Sequence, residues 1–237
     1  RIASILRDDG VSVAQVNPRY EALVNPDDHL RAEGIRVLSY ACRCARWLGC
    51  DNVYVRPGSL NPRGHWTPHR ENTHPRTIDR LVDSLRQVSP VAETEGVFLA
   101  IEGHVVSPLE TAERVRDVIV AVGSPALRFN MDPVNFIGTL AEAYDSARFL
   151  ERLFDVLGPY TVCAHVKDVR VEDRLVLHIA ETAPGDGLLD QVTFLRLYER
   201  WCPDRFALIE HLPDERVPAA KGALDRAAES AGIKWLV

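Results

Sequence analysis

The chain has 237 residues, of which 46% are hydrophobic and 26% are charged, so it can bury a large core. Its formal net charge of -6 argues against a duplex-DNA binder, because such proteins carry a basic surface. It contains no apolar run of about 18 residues and no basic leader followed by an apolar stretch, so we expect no membrane span and no signal peptide. Its five cysteines are irregularly spaced, which favours reduced thiols and a cytoplasmic protein.

Short apolar strands alternate with amphipathic helices along the chain. The predicted strands are Val11–Val16, Val53–Arg56, Val97–Ile101, Leu127–Met131, Thr161–Val166, Leu175–Ile179 and Phe206–Ile209. The predicted helices are the end of one over Arg1–Asp9, then Leu30–Leu48, Thr77–Glu93, Pro108–Val122, Leu140–Leu157, Gln191–Trp201 and Pro218–Ala231. This alternation predicts a parallel sheet.

The number of strands favours a closed barrel. The seven predicted strands and an eighth expected before Arg1 give a (β/α)8 TIM barrel, a single domain over residues 1–237 whose first strand is missing from this chain. A doubly wound sheet would carry a glycine-rich phosphate loop after an early strand, and the stretch VAQVNPRYE has no glycine. One long polar insertion, Gly58–Arg76, follows a strand end, where barrels carry functional loops.

Ionisable residues stand at the ends of five predicted strands. They are Glu102 and His104, Asp132, then His165, Lys167 and Asp168, then His178 and Glu181, and finally Glu210 and His211. A buried carboxylate is costly unless it is paired or metal-bound. We therefore predict one divalent cation, Mn²⁺ or Mg²⁺ in preference to Zn²⁺ or Co²⁺, with the ligands Glu102, Asp132, His165 and Glu210.

Each of these four ligands also has a structural explanation when it is taken alone. Glu102 would be a solvated loop residue, and Asp132 would start a turn before Pro133. His165 would be a hydrogen-bonded core histidine, and Glu210 would cap the following turn. Metal binding is the preferred interpretation because the four residues occur as a set at separate strand ends.

The candidates for substrate binding are Lys167, His104, Arg56, Asn135, His178 and Trp66. Lys167 offers an ammonium group to a hydroxyl or a phosphate; the alternative is that it only pairs with Asp168 at an exposed rim. Arg56 suits an anionic or hydroxyl-rich ligand. Trp66 lies in the polar insertion and would form part of a lid, whereas we expect the histidines of that insertion to be solvated, namely His65, His69 and His74.

The motifs at these strand ends resemble those of the xylose isomerase-like TIM barrel superfamily, which includes sugar phosphate isomerases and epimerases and endonuclease IV. The resemblance runs from about Val11 to the C-terminus. It is carried by LAIEGH (Leu99–His104), NMDPVN (Asn130–Asn135), AHVKD (Ala164–Asp168), PGDGLLD (Pro184–Asp190) and ALIEH (Ala207–His211). It implies a TIM-barrel fold and the same four metal ligands. In the epimerases of this family, the two metal-bound glutamates also move a proton at the carbon beside a carbonyl.

The resemblance implies a divalent-metal-dependent isomerase or epimerase of carbohydrate metabolism. Its substrate would be a sugar, a keto-sugar or a related polyol that binds the metal through adjacent carbonyl and hydroxyl oxygens. Glu102 or Glu210 would remove the proton beside the carbonyl to give an enediolate, and the other glutamate would return a proton. Barrels of this group often pair, so a homodimer is compatible with the resemblance, and neither nucleic acid nor membrane is expected as a partner.

Departures from the family patterns keep other reactions open. Ser107 stands where many epimerases carry a second glutamate, and Asn135 replaces a histidine that often follows the aspartate ligand. A lyase that dehydrates a keto-inositol or a dehydroshikimate-like substrate uses the same ligands and is the main alternative. An endonuclease IV-like phosphodiesterase needs histidines where this chain has Asn17, Arg56, Asn135 and Ala180. A non-catalytic partner subunit is disfavoured by the complete ligand set.

Overall fold

The computed structural model describes residues 2–236. The chain divides into two compact units, the first ending at Asn130 and the second beginning at Met131. In residues 2–236, no helix combines the length and the apolar character that crossing a membrane requires. The single domain expected over residues 1–237 stays a prediction.

The first unit alternates helices with parallel strands. Its elements are α1 (Ile2–Asp8), α2 (Asp28–Leu48), β1 (Asn52–Val55), α3 (Pro75–Glu95), β2 (Phe98–Ile101), α4 (Ala112–Val122) and β3 (Leu127–Met131), the last residue of which belongs to the second unit. β1 pairs with β2, and β2 pairs with β3, both in parallel. The predicted strand–helix alternation is therefore confirmed in this unit.

Local sequence signals set the ends of the helices. Asp27 caps α2 by accepting hydrogen bonds from the backbone N–H groups of the first turn, and Gly49 ends that helix in the left-handed region at φ 73°. The apolar stripe of α3 is fully buried, namely Leu81, Leu85 and Val88. Burial of this stripe packs the helix against the core of the first unit.

The second unit combines a parallel strand pair with an antiparallel hairpin. Its elements are α5 (Leu140–Tyr144), α6 (Ser146–Leu157), β4 (Thr161–Val166), β5 (Asp168–Val171), β6 (Ile179–Thr182), α7 (Gln191–Trp201), β7 (Ala207–Ile209) and α8 (Val217–Ala231). β4 pairs with β7 in parallel, and β5 pairs with β6 in antiparallel. Phe154 of α6 and Phe194 of α7 are fully buried and lie 6.0 Å apart between ring centroids.

Two of the predicted strands are wrong. Val11–Val16 makes only an isolated parallel bridge, from Val16 to Val53. Leu175–Ile179 is mostly the connection of the β5–β6 hairpin, and its apolar residues at 175–177 are exposed. Only Lys167 separates the end of β4 from the start of β5. The strand after β5 is β6, which pairs with β5 as a hairpin, so the apolar run at 175–177 falls in the turn between them.

Two predicted helices differ from the structure by more than a shift of one or two residues at an end. The helix expected over Leu140–Leu157 is interrupted at Asp145, which has φ -115° and ψ 54°. The helix expected from Pro108 begins instead at Ala112, where Thr111 caps it by accepting a hydrogen bond from Arg114 N. Of the helix expected over Arg1–Asp9, residues Ile2–Asp8 are helical, and Arg1 lies outside the described residues.

Candidate metal and catalytic site

The strand register of the first unit places three polar residues at one edge of its sheet. Val55, Ile101 and Phe129 occupy one row of paired positions across β1, β2 and β3. The residues after this row lie toward the carboxyl edge of the sheet: Arg56 and Glu102 directly follow β1 and β2, and Asn130 is the last residue but one of β3. This is the edge at which α/β barrels carry their chemistry.

Glu102 is held at this edge by two neutral hydrogen-bond donors. Its side chain is 1% exposed. Tyr54 Oη donates to Oε1 at 3.0 Å, and Asn130 Nδ2 donates to Oε2 at 2.6 Å. Gln15 Nε2 in turn donates to Asn130 Oδ1 at 3.3 Å. The orientation of the carboxylate is therefore fixed from both of its oxygens.

Arg56 is held by neighbouring groups of the same unit. Its guanidinium lies 5.0 Å from the centroid of the Tyr20 ring and 5.4 Å from that of Tyr54, which are cation–π distances. It also donates to Asn17 Oδ1 at 2.8 Å and to the carbonyl oxygen of Pro18. Burial raises the pKa of the Tyr20 phenol above its ordinary value, so this ring stays neutral under Arg56. The role predicted for Arg56 in ligand binding stays a prediction.

The polar insertion is a structured loop. The side chain of Asn72 is 1% exposed and donates to Val106 O at 2.8 Å and to Ser59 Oγ at 3.1 Å. The Trp66 ring lies 5.8 Å from the His104 ring, between centroids, with the two planes tilted by 33°. This contact joins two of the residues predicted to bind substrate.

The histidines of the insertion differ in burial. His69 and His74 are exposed, as predicted, and each accepts a hydrogen bond from a nearby backbone N–H group. The expectation that His65 is solvated is wrong, because its ring is half-buried, with Nε2 2.9 Å from Tyr20 O. Burial first, and then the positive charge of Arg56, lowers the pKa of His65 below its ordinary value.

The register of the second unit places another polar group at the carboxyl edge of its strands. Val166 of β4 pairs with Ile209 of β7. The next residues, Lys167 and Glu210, therefore leave adjacent strands at the same level. His165 lies one position before Lys167 and is 5% exposed.

Lys167 is a buried cation among carboxylates. Its residue is 3% exposed, and its Nζ lies 2.6 Å from Asp132 Oδ2, 3.3 Å from Glu181 Oε2 and 4.0 Å from Glu210 Oε1. It also donates to Asn135 Oδ1 at 3.2 Å. The structure thus brings together four of the predicted site residues with Glu181, whose place in this cluster the sequence did not reveal.

Asp168 does not serve as an exposed partner of Lys167. Its carboxylate is 1% exposed and accepts hydrogen bonds from four backbone N–H groups at 2.8–3.2 Å, those of Val169, Gly185, Gly187 and Leu189. The alternative interpretation of Lys167 as a rim residue paired only with Asp168 is therefore wrong. Asp168 instead anchors the PGDG loop.

His165 and Glu210 are two predicted ligands of the second unit that lie in contact. Nδ1 of His165 lies 2.7 Å from Oε2 of Glu210, and this buried oxygen is in short contact rather than in an aligned hydrogen bond. An imidazole nitrogen and a carboxylate oxygen at the ends of adjacent strands, with the Asp132 carboxylate following β3, form a donor set that suits Mn²⁺, Mg²⁺ or Zn²⁺. These residues fit a divalent cation.

A second histidine connects two of the carboxylates. Nε2 of His211 lies 3.0 Å from Glu210 Oε1, and Nδ1 lies 3.1 Å from Glu181. His211 is in the left-handed region at φ 57°, an uncommon conformation for a residue other than glycine. The backbone therefore holds this imidazole in place at some cost in strain.

The charges of this group shift its pKa values strongly. Glu181 and Glu210 raise the pKa of His211 to about 10, so it is a cation at neutral pH. Burial alone would raise the pKa of Glu210, but the contacts with His165, His211 and Lys167 outweigh burial and hold that pKa far below its ordinary value. Glu210 is therefore ionised, which is the state that a metal ligand needs.

His178 lies in the turn of the β5–β6 hairpin. It is exposed, and its carbonyl oxygen accepts a hydrogen bond from Glu172 N at 3.0 Å. The sequence pointed to His178 because it ends a run predicted as a strand. The sequence did not identify Tyr54 and Glu181 as neighbours of the predicted ligands. Glu181 could have been found, because it is a carboxylate that follows the apolar run at 175–179.

A barrel-type alternation with carboxylates and histidines at its strand ends is typical of metal-binding α/β barrels. The family model of the xylose isomerase-like TIM barrel matches residues 1–201. The chain belongs to this family, and the predicted fold class is thereby confirmed. Comparison with curated protein sequences gives no match.

Solved structures of the same fold match nearly the whole chain. A xylose isomerase-like TIM barrel protein from Mycobacterium smegmatis, in complex with magnesium, is 16% identical with a TM-score of 0.73, and the match covers 96% of this chain and 76% of that one. The apo 3-keto-D-glucoside 4-epimerase YcjR from E. coli is 16% identical with a TM-score of 0.70, covering 96% and 83%. IolI with a bound zinc atom is 18% identical with a TM-score of 0.70, covering 98% and 80%.

Proposed function

We propose that this protein is a divalent-metal-dependent isomerase or epimerase that acts on a sugar, a keto-sugar or a related polyol. The observation that carries this proposal is the group at the strand ends of the second unit, where His165 Nδ1 and Glu210 Oε2 lie 2.7 Å apart and Lys167 Nζ contacts Asp132 at 2.6 Å. The similarity to a 3-keto-D-glucoside 4-epimerase supports the substrate class.

The proposed ligands of the cation are Glu102, Asp132, His165 and Glu210. Glu102, Asp132 and His165 are buried, and each offers an oxygen or nitrogen ligand atom. Three carboxylates and one imidazole favour Mn²⁺ or Mg²⁺. Two similar proteins were solved with magnesium and with zinc, which supports a divalent ion without selecting one. When bound, the ion would supply Lewis-acid stabilisation of the negative charge that develops on substrate oxygens.

The two glutamates would carry out the proton transfer. Glu102 has both oxygens fixed by Tyr54 and Asn130, so one orientation of its carboxylate is available for removing a proton beside a carbonyl. Glu210 would return the proton. The short contacts of Glu210 with His165 and His211 hold its carboxylate in one orientation.

Polar and aromatic side chains would orient the substrate. Within the second unit, Asn135 and Lys167 would donate to hydroxyl groups. Within the first unit, Trp66 beside the tilted ring of His104 offers an aromatic surface of the kind on which sugar rings pack. The roles of Arg56 and His178 in substrate binding remain part of the proposal.

The deciding experiment measures exchange of a substrate proton with solvent. The protein is stripped with EDTA, reconstituted with Mn²⁺ and incubated in D₂O with a panel of ketopentoses, ketohexoses and 3-keto sugars. We expect NMR to show deuterium at the carbon beside the carbonyl and an epimer or isomer as product, with turnover that is lost on metal removal. A dehydrated product would instead identify the lyase alternative.

Two matched variants test the assignment of Glu210. Glu210→Gln keeps the shape of the side chain and should lower turnover by about 100-fold or more, the usual contribution of a general acid or base. Glu199→Gln changes an exposed glutamate of α7 and should leave turnover unchanged. Full activity of Glu210→Gln would overturn the proposal.

A further inference from the structure

Lys167 occupies an unusual position for a lysine. Its Nζ is buried and lies within 4.0 Å of carboxylate oxygens of Asp132, Glu181 and Glu210. The shortest of these contacts, at 2.6 Å, is to Asp132, one of the proposed metal ligands. Buried lysines are rare unless their charge is paired, so this ammonium is part of the charge balance of the group.

The charges of the second unit explain why a cation is needed there. Asp132 is fully buried, and Glu210 is 17% exposed at its side chain. Carboxylates this close together repel each other when all are ionised, unless positive charge lies between them. In this structure the Lys167 ammonium supplies the positive charge next to the Asp132 carboxylate, while the imidazoles of His165 and His211 contact Glu210.

We propose that the Lys167 ammonium is an internal counter-ion of the proposed metal site, and that a divalent cation binds by competing with it for the Asp132 carboxylate. This inference rests on the proposed function. Lys167 is here a positioning residue: it holds the carboxylates in place before the cation arrives.

The neighbours of Nζ offer it an alternative location. Asn135 Oδ1 at 3.2 Å and Glu181 Oε2 at 3.3 Å are already within reach, and the Glu181 side chain is 36% exposed. A lysine that gives up Asp132 can therefore keep a charged partner in Glu181. The four rotatable bonds of lysine permit this shift without any change in the backbone.

The first test measures binding of Mn²⁺ by calorimetry in metal-free protein. Lys167→Met keeps the length and apolar stem of the side chain but removes its charge, so the variant should bind Mn²⁺ about tenfold more tightly or better. Lys221→Met removes an exposed lysine of α8 that pairs with Asp225, and its affinity should equal that of the wild type. Equal or weaker binding by Lys167→Met would overturn the inference.

The second measurement is thermal unfolding in EDTA and in excess Mn²⁺. Without metal, Lys167→Met should unfold at a lower temperature than the wild type because its buried carboxylates lack their counter-ion. With Mn²⁺, its gain in unfolding temperature should exceed the gain of the wild type, because linkage adds more stability for a tighter ligand. A structural role alone would lower stability without strengthening metal binding.

A third variant covers the case in which Lys167→Met does not fold. Glu181→Gln removes the alternative partner of Lys167 from a partly exposed position, and it should weaken Mn²⁺ binding several-fold. In a protein that also carries Lys167→Gln, the Glu181→Gln substitution should weaken Mn²⁺ binding clearly less, because the competing ammonium is gone. An equal loss of Mn²⁺ affinity with Lys167 and with Lys167→Gln would overturn the inference. If Mn²⁺ binds to neither the wild type nor any variant, the proposed function fails together with this inference, whereas binding with no dependence on Lys167 removes this inference alone.

Discussion

Nδ1 of His165 and Oε2 of Glu210 lie 2.7 Å apart, although 45 positions separate the two residues in the sequence. The parallel register of β4 and β7 produces this contact, since His165 is paired with Leu208 and the chain leaves β7 two residues later. A nitrogen and an oxygen this close together can bind one cation without moving the backbone. The contact is therefore a geometric element of the proposed metal centre that can be tested directly.

Substitution of His165 tests whether this pair binds a metal. Replacement of a residue that supports a metal ligand costs about 10–100-fold in affinity, so loss of the imidazole itself should cost more than about 100-fold. We expect His165→Gln to be purified with little divalent metal, as measured by elemental analysis. His29→Gln, at an exposed position of α2, should keep the wild-type metal content. A metal content in His165→Gln equal to that of the wild type would exclude His165 as a ligand.

The hydrogen bond from Tyr54 to Glu102 gives a prediction about positioning. Tyr54→Phe removes one donor from a buried carboxylate, which should lower the free energy of unfolding by about 1–3 kcal/mol. It should also weaken Mn²⁺ binding by about tenfold, because an outer hydrogen bond orients the ligand.

A second buried tyrosine supplies the control for Tyr54→Phe. Tyr198 Oη donates to Phe206 O at 2.7 Å, so Tyr198→Phe also loses one buried hydrogen bond. It should lose comparable stability and keep its Mn²⁺ affinity. If the two variants bind Mn²⁺ equally well, Tyr54 does not position a metal ligand.

Much of the fold follows from the sequence because its signals are local. The strands Leu127–Met131 and Thr161–Val166 and the helix Gln191–Trp201 have the bounds that were predicted. Each is a short apolar run or an amphipathic stripe that ends at a polar residue or a turn, and apolar residues in each are buried as the pattern indicates. The strand predicted at Leu175–Ile179 is wrong because a short apolar run does not by itself distinguish a strand from the turn of a hairpin.

The site was predictable in its members but not in its contacts. Residues at strand ends could be read directly, since each follows an apolar run. The contact of Lys167 with Asp132 depends on side-chain conformation and on burial, which no local pattern encodes. The position of Glu181 depends on the β5–β6 hairpin, where it is paired with Val169. Long-range pairing of this kind requires the three-dimensional structure.

The half-buried ring of His65 predicts a dependence of stability on pH. Its pKa in the folded protein is lowered by burial and by Arg56 from about 6.5 in the unfolded chain. Folding therefore favours the neutral ring, so its contribution is fully present above the unfolded pKa and is lost as the pH falls through the folded pKa. We expect the free energy of unfolding, measured with urea at pH 8 and pH 5, to fall less in His65→Gln than in the wild type. The same fall in both proteins would contradict this assignment.

The PGDG loop should depend on the Asp168 carboxylate, which accepts hydrogen bonds from four backbone N–H groups. Asp168→Asn replaces one acceptor oxygen by an amide that must face backbone donors, so we expect a loss of about 2–4 kcal/mol in the free energy of unfolding. Limited proteolysis should then cut within residues 183–189. Gly187→Ala should have a similar effect, because an added Cβ would lie 2.3 Å from Asp168 Oδ1. At Gly123 the nearest heavy atom to an added Cβ is Val120 O at 3.9 Å, so Gly123→Ala tests only the left-handed backbone. An Asp168→Asn protein as stable and as protease-resistant as the wild type would show that the loop is held by other contacts.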